Sequence, residues 1–248
     1  MKKKYLYILF VIIIIIILLL LLNYSFKEGY TNNKYDNFDM YVISLRNEER
    51  MKNIKEQQKK IDKEIIIFDG VNGSKLDVDK LKSENVISSN YFSNAKNNKT
   101  RMGEYGCYLS HLNLLKQINE NNIESKYSII FEDDFIIDSS SFLDDVVNII
   151  NIMDNNFDII FLGNSSSNHG KNYKNNIYYT DNNSALFGTY CYLVNNNSIE
   201  KILKYISIVD MPIDAKYEKL NKAKKIDIFV IYPTIVNHSY DTISLIRD

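Results

Sequence analysis

Short apolar runs alternate with amphipathic segments along most of the chain. The runs are rich in β-branched and aromatic residues, which is typical of buried strands. They are Met40–Leu45, Ile65–Phe68, Tyr127–Phe131, Phe157–Leu162, Thr189–Val194 and Ile226–Ile231. Apolar side chains recur at helical spacing in Glu49–Ile61, Tyr105–Ile118 and Phe142–Met153. This alternation predicts an α/β domain with a mostly parallel central sheet flanked by helices, in which 77–99 and 165–176 are polar loops.

A much longer apolar run lies near the N-terminus. Residues 5–22 contain no charged side chain, and as a helix they would span roughly 27 Å, enough to cross a bilayer. Three lysines at positions 2–4 precede the run, which by the positive-inside rule places residues 1–4 in the cytoplasm. We therefore expect a single-pass type II membrane protein with an anchor at 5–22, a stem at 23–38 and a catalytic domain at 39–248 on the non-cytoplasmic side. A cleaved signal peptide is the alternative, although no small-residue cleavage pattern follows the run.

Composition is typical of a globular domain, with 45% hydrophobic and 25% charged residues. The formal net charge of −1 gives no indication of a nucleic-acid partner. The two cysteines, Cys107 and Cys191, are far apart and match no common metal-ligand spacing. Buried thiols are the favoured interpretation, and a disulfide is the alternative in an oxidising compartment.

The acidic triplet Glu132-Asp133-Asp134 directly follows a predicted buried strand. Adjacent carboxylates repel one another unless a cation neutralises them, and side chains that alternate along an extended chain would point Glu132 and Asp134 the same way. A hard cation there would suit a diphosphate group. The alternative is a solvated acidic turn.

Several motifs together resemble glycosyltransferase family 25, which includes lipooligosaccharide and collagen galactosyltransferases. They occur in the order Tyr41–Arg46 with Arg50, Phe68–Gly73, Gly103–His111, Ile129–Asp134, and Met211–Asp214 followed by Pro233. The resemblance spans about residues 39–243. It implies a GT-A fold, a UDP-sugar donor carrying galactose or glucose, Mn²⁺ or Mg²⁺ as cofactor, and a glycan or protein acceptor.

The resemblance also implies site residues. Ser44, Leu45, Arg46, Arg50, Asp69, Glu132 and Asp133 would border the nucleotide-sugar donor. Asp134 would be the principal metal ligand and Glu132 the second, with His238 as a third ligand. In an alternative interpretation, Arg50 instead pairs with Glu49 or Glu56 on a helix surface.

The family's inverting members need a general base, and Asp214 is the candidate. Asp214 could equally bind sugar hydroxyls. His111 is a candidate catalytic residue that would hydrogen-bond donor or acceptor, and a structural histidine at a helix–sheet contact is the alternative.

The expected function is a metal-dependent hexosyl transfer to an acceptor hydroxyl. One alternative is a catalytically inactive, membrane-tethered carbohydrate-binding protein with the same fold. Another is a metal-dependent phosphate-ester hydrolase, although such sites usually have more histidine ligands than a chain with three His can provide.

Overall fold

The structure is a computed structural model that describes residues 13–18, 34–121, 123–165, 169–180 and 186–239. The chain divides into two compact units, residues 1–36 and 37–248. Within the first unit, residues 13–18 are helical. The rest of the predicted anchor at 5–22 lies outside the described residues, as does the predicted stem from 23 to 33. Among the described residues, no helix is both long enough and apolar enough to cross a membrane.

An eight-stranded sheet forms the centre of the second unit, in the order β2-β1-β3-β8-β5-β9-β7-β6. The strands, including the two of a separate ribbon, are β1 (Phe38–Ser44), β2 (Ile65–Asp69), β3 (Tyr127–Glu132), β4 (Phe135–Ile137), β5 (Ile159–Gly163), β6 (Asn172–Lys174), β7 (Ile177–Tyr179), β8 (Cys191–Asn195), β9 (Ile228–Ile231) and β10 (Val236–His238). β1 starts at the last residue assigned to the stem, because Phe38 is fully buried and pairs with Tyr127.

Six α-helices accompany the sheet in the described residues that follow position 37. They are α1 (Glu48–Gln58), α2 (Val78–Ser83), α3 (Asn98–Glu120), α4 (Phe142–Met153), α5 (Ile199–Ile206) and α6 (Ile213–Lys222). α4 has the predicted bounds, because its buried side chains Phe142, Val146, Ile149, Ile150 and Met153 form one apolar face. α3 begins earlier than predicted, where the side chain of Asn97 accepts a hydrogen bond from the backbone N–H of Thr100.

The α/β prediction is confirmed, and most strands run in one direction. β1 is parallel to β2 and β3, and β5 is parallel to β9. β8 runs antiparallel between β3 and β5, so the centre of the sheet is mixed rather than uniform. The segment that precedes β8 therefore reaches the same edge as the carboxyl ends of β3 and β5.

Several elements were not predicted because they are short or highly charged. β4 and β10 form a separate two-stranded antiparallel ribbon of three residues each. α2 lies within a predicted loop, where Asp77 caps it by accepting from the backbone N–H of Lys80. β6 likewise lies within the predicted loop at 165–176.

Glycines allow α3 to approach the loop after β2 closely. A Cβ atom added at Gly106 would lie 2.6 Å from the carbonyl oxygen of Val71, and one added at Gly73 would lie 1.8 Å from that of Met102. Ser110, one turn further along α3, accepts a hydrogen bond from the backbone N–H of Val71 at 2.8 Å. This contact fixes the helix against the loop that borders the pocket described below.

We predict that Gly106→Ala destabilises the protein, although alanine ordinarily stabilises a helix interior by roughly 0.5–1 kcal/mol relative to glycine. The new methyl group would meet backbone atoms, which cannot move aside as a flexible side chain can. We expect a loss of about 2 kcal/mol in the free energy of unfolding, measured by urea denaturation. Gly70→Ala is the matched control, because its Cβ would meet its nearest neighbours at 3.3–3.4 Å. Equal effects in the two variants would contradict the close-contact explanation.

Candidate active site

A pocket of about 620 Å³ opens at the carboxyl ends of β1 and β3, against α3. Its lining includes Ser44, Leu45, Arg50, His111, Glu132, Asp133 and Asp134. The structure thus brings together most of the site residues that the sequence indicated. Arg46, Asp69, Asp214 and His238 are described but do not line this pocket.

The acidic triplet does not continue β3. The strand ends at Glu132, and Asp133 and Asp134 form a turn that leads into β4. The expected extended conformation across the triplet is therefore wrong, and strand alternation does not orient Glu132 and Asp134. The turn is named the acidic turn below and comprises Glu132, Asp133 and Asp134.

Arg50 lies inside this site and not on a helix surface. Arg50 is only 4% exposed, and its Nη1 atom lies 3.2 Å from Oδ2 of Asp134. Its Nε atom lies 3.5 Å from Oδ1 of Asp133. The alternative pairing with Glu49 or Glu56 is therefore wrong, because the guanidinium points toward the acidic turn.

One face of α1 holds the acidic turn in place. Asn53 donates from Nδ2 to the carbonyl oxygens of Asp133 and Phe135, at 3.0 and 2.9 Å. Gln57 accepts from the backbone N–H of Ile137 at 3.0 Å. Arg50, Asn53 and Gln57 are spaced i, i+3 and i+7, so they share one side of the helix. Asn53 and Gln57 were not predicted as site residues, although their spacing from Arg50 was a usable signal.

The carboxylates of the turn are incompletely neutralised. Burial, together with the neighbouring charge of Glu132, raises the pKa of Asp134 to about 6, against the opposing effect of Arg50. Burial also raises the pKa of Asp133, although Ser44 and Arg50 oppose it. In the described part of the chain, Oδ1 of Asp134 is buried and has no hydrogen-bond partner. A buried carboxylate oxygen left in this way suits a hard cation such as Mn²⁺ or Mg²⁺.

Glu132 is directed toward α3. Its Oε1 atom accepts a hydrogen bond from the hydroxyl of Thr189 and lies 3.4 Å from Nε2 of His111. Burial raises the pKa of Glu132, but His111, Thr189 and Arg50 together outweigh it, and the net pKa is lowered. His111 is fully buried, and its Nδ1 atom lies 3.0 Å from the hydroxyl oxygen of Tyr192. Its position at a helix–sheet contact agrees with a structural histidine, yet it also lines the pocket.

Glu132 also belongs to a cluster that was not predicted from the sequence. One ligand atom each from Cys107, His111 and Glu132 lies within 4.8 Å of the other two. The predicted set of Glu132, Asp134 and His238 is not gathered in this way among the described residues. His238 lies in β10 opposite Phe135, and its ring packs on Tyr190 with centroids 4.8 Å apart.

The two cysteines do not form a disulfide. Both are free thiols, with Cys191 buried in β8 and Cys107 partly buried on α3. Burial, with smaller contributions from Glu132 and Asp214, raises the pKa of Cys107 well above its usual range.

Arg46 and Asp69 form an ion pair outside the pocket. Nε of Arg46 contacts Oδ1 of Asp69, and the two side chains are 48% and 75% exposed. Arg46 has a left-handed backbone with φ of 56°, and its backbone N–H donates to Oγ of Ser44 at 2.9 Å. The pair flanks the mouth of the site from β1 and β2.

Asp214 lies in the first turn of α6 and holds the segment before β8. Its Oδ2 atom accepts from the backbone N–H of Gly188 at 3.0 Å, and its Oδ1 atom accepts from that of Ala215 at 2.8 Å. Burial is the main cause of its raised pKa, and the charge of Glu132 adds to it. An aspartate with a raised pKa is suited to accepting a proton.

The chain matches a known protein family. Residues 37–216 match the family "Glycosyltransferase family 25 (LPS biosynthesis protein)". No curated protein matches the chain significantly. One similar solved structure is a glycosyltransferase involved in the glycosylation of the major capsid of PBCV-1, with 9% identity, a TM-score of 0.42, and coverage of 83% of this chain and 94% of that chain.

Two further structures show a similar degree of likeness. UDP-glucose pyrophosphorylase complexed with UDP-glucose has 12% identity, a TM-score of 0.42, and coverage of 78% of this chain and 90% of that chain. The 4-diphosphocytidyl-2C-methyl-D-erythritolsynthase from Anaerococcus prevotii has 12% identity, a TM-score of 0.40, and coverage of 86% and 93%. Identities this low carry no information on substrates.

An α/β domain with acidic residues at the carboxyl edge of its sheet, matched over most of its length by a transferase family, defines the protein as a glycosyltransferase. The chain belongs to glycosyltransferase family 25. Membership implies a nucleotide-sugar donor and a glycan acceptor.

We predict that Arg50→Met destabilises the protein by about 3 kcal/mol at pH 7.5, because it leaves buried carboxylates without their cation. The cost should be smaller at pH 5, since Asp134, with a pKa of about 6, is then mostly protonated and pairs less strongly with Arg50. Urea denaturation at the two pH values measures both effects. Arg46→Met is the control, because it breaks only an exposed pair and should cost less than about 1 kcal/mol. A cost for Arg50→Met that is independent of pH would contradict the charge argument.

Proposed function

We propose that this glycosyltransferase moves a hexose, galactose or glucose, from a UDP-sugar to a hydroxyl group of a glycan or glycoprotein, with inversion at the anomeric carbon. The fold would be of the GT-A type. The observation that carries the proposal is the acidic turn, whose under-neutralised carboxylates line a pocket large enough for a nucleotide sugar.

The donor would occupy the pocket between β1, the acidic turn and α3. Ser44 and Leu45 line its β1 side, and the Arg46–Asp69 pair stands at its edge. Asp134, with its unpartnered Oδ1 atom, would hold Mn²⁺ or Mg²⁺, with Glu132 contributing from the same turn. A divalent cation bound there supplies Lewis-acid stabilisation of the nucleoside diphosphate leaving group.

Arg50 would hold the acidic turn in the conformation that binds the metal ion. It holds Asp133 and Asp134 together when they would otherwise repel each other. One guanidinium cannot balance the three carboxylates of the turn, so the site retains an affinity for a further cation. His238, which lies across the ribbon from Phe135, would be the third ligand.

Asp214 would act as the general base. In the transfer step the acceptor oxygen forms a bond to the anomeric carbon, the bond from that carbon to the diphosphate oxygen breaks, and the acceptor proton passes to the Asp214 carboxylate. Its raised pKa supports this role, since it brings the base closer to neutral pH. Phe187, which precedes the Gly188 amide bound by Asp214, is 57% exposed and offers an apolar face for the acceptor.

We further propose, from the sequence of residues 5–22, that the enzyme is a single-pass type II membrane protein. The stretch is uncharged and follows three lysines. Under that topology the catalytic domain lies on the non-cytoplasmic side.

We predict that Asp134→Asn reduces transfer by roughly 100-fold or more, because the turn loses its principal metal ligand. The assay measures UDP release and sugar transfer with a panel of UDP-sugars, Mn²⁺ and candidate glycan acceptors. UDP release without sugar transfer by the unaltered enzyme would instead indicate a hydrolase.

In the absence of added metal at pH 7.5, the Asp134→Asn variant should unfold at the same temperature as the unaltered protein or at a higher one. A carboxylate with a raised pKa contributes stability that is present below its ordinary pKa and lost as pH rises through about 6. Asp138→Asn, an exposed aspartate after β4, is the control and should keep its activity. Near-normal turnover in Asp134→Asn would refute the metal assignment.

We predict that Asp214→Asn lowers kcat by on the order of 1000-fold while the donor KM changes little, because the amide cannot accept the acceptor proton. Glu218→Gln is the matched control. Glu218 lies one turn further along α6 and holds the same segment by accepting from the backbone N–H of Leu186 at 3.1 Å. If Asp214 only positioned this segment, the two variants would lose similar activity, and the base role would be rejected.

A further inference from the structure

The cluster of Cys107, His111 and Glu132 has the arrangement of a metal site. Cys107 and His111 are four residues apart on α3, so their side chains lie on the same face of the helix. Glu132 reaches them from the end of β3. All three line the pocket, and their ligand atoms lie within 4.8 Å of one another.

The distance between His111 and Glu132 fits shared coordination better than a hydrogen bond. Nε2 of His111 and Oε1 of Glu132 are 3.4 Å apart. A typical N–H···O hydrogen bond is about 2.9 Å long. Two ligands that are each about 2.1 Å from a tetrahedral zinc ion are roughly 3.4 Å from each other.

The surrounding side chains hold these ligands as outer-shell partners do in metal sites. The hydroxyl of Tyr192 lies 3.0 Å from Nδ1 of His111, which leaves Nε2 directed toward Glu132. Thr189 donates a hydrogen bond to Glu132. In metal sites, a partner on the second ring nitrogen fixes the orientation and tautomer of the histidine ligand.

The local charge also favours a cation, because the carboxylates of Glu132 and Asp214 both act electrostatically on Cys107. A divalent cation would neutralise part of this negative charge and would hold the coordinated thiol as a thiolate.

We propose that Cys107, His111 and Glu132 form a binding site for a thiophilic divalent cation of the zinc type. Thiolate and imidazole ligands select such ions, whereas the oxygen atoms of Asp134 suit Mn²⁺ or Mg²⁺. Three protein ligands leave the fourth position open toward the pocket. Because Glu132 also belongs to the acidic turn, occupancy of this site competes with the proposed catalytic metal, and zinc inhibits transfer.

Titration of the metal-free 248-residue chain with Co²⁺ tests this site without reference to activity. We expect a thiolate-to-cobalt charge-transfer band that saturates at one ion per chain and is displaced by Zn²⁺. Cys107→Ala should abolish the band and weaken Zn²⁺ binding at least about 10-fold. Cys191→Ala is the matched control, because it removes the other cysteine of the chain, and it should keep the band.

Asp134→Asn separates this inference from the proposed function. That variant loses the candidate oxygen ligand but keeps Cys107, His111 and Glu132, so its cobalt band should persist while transfer is lost. Thermal unfolding checks each variant, and Cys107→Ser replaces the alanine variant if the latter does not fold. Absence of the band in the unaltered protein, or its survival in the folded Cys107 variant, would overturn the proposal.

Discussion

The site depends on one unequal pairing, in which a single buried guanidinium faces the carboxylates of the acidic turn. Arg50 contacts Asp133 and Asp134 from a position that is almost wholly inside the protein. Buried charges are costly unless they are paired and well positioned. The side chain of Asn47 caps α1 by accepting a hydrogen bond from the backbone N–H of Arg50. Asn53, on the same helix, donates a hydrogen bond to the acidic turn. The helix and the turn therefore stabilise one another as a unit.

The turn also divides the carboxylates between two environments. Asp134 remains beside Arg50, while Glu132 is drawn toward Thr189 and His111. The first environment contains the guanidinium of Arg50, and the second contains a thiol and an imidazole. If β3 continued through Asp134, the two environments would merge, since an extended strand would direct Glu132 and Asp134 to the same side.

Buried strands and the longer amphipathic helices were predictable from sequence, because their apolar residues follow the period of the element that they form. α4 is the clearest case. α5 was missed although Ile199, Ile202 and Ile206 recur at helical spacing, since eight residues carry only two turns of pattern. β4 and β10 were not predictable, since three residues carry too little pattern and each depends on the other for its hydrogen bonds. α6 is rich in charged residues and contributes few apolar positions, so its pattern is weak.

For the site, sequence motifs indicated most of the residues that line the pocket but not how they pair. The partners of Arg50 lie far from it in the chain, so a local rule suggested Glu49 or Glu56 instead. The cysteine–histidine spacing on α3 was visible, yet its meaning depends on Glu132, which only the fold brings near. Such pairings arise from tertiary structure and leave no local signature.

The reversed direction of β8 has a consequence for how the enzyme matures. Glu132 and its neighbours reach the carboxyl edge of the sheet at the end of a parallel strand. The segment that enters β8 brings two hydrogen-bond donors to the same edge, the Gly188 amide and the Thr189 hydroxyl. Phe131 pairs with Cys191, so this meeting requires closure of a long loop, and such contacts form slowly. A growing polypeptide that has completed only β1 to β3 therefore lacks the Gly188 and Thr189 donors beside its acidic turn until the second half of the domain has been synthesised.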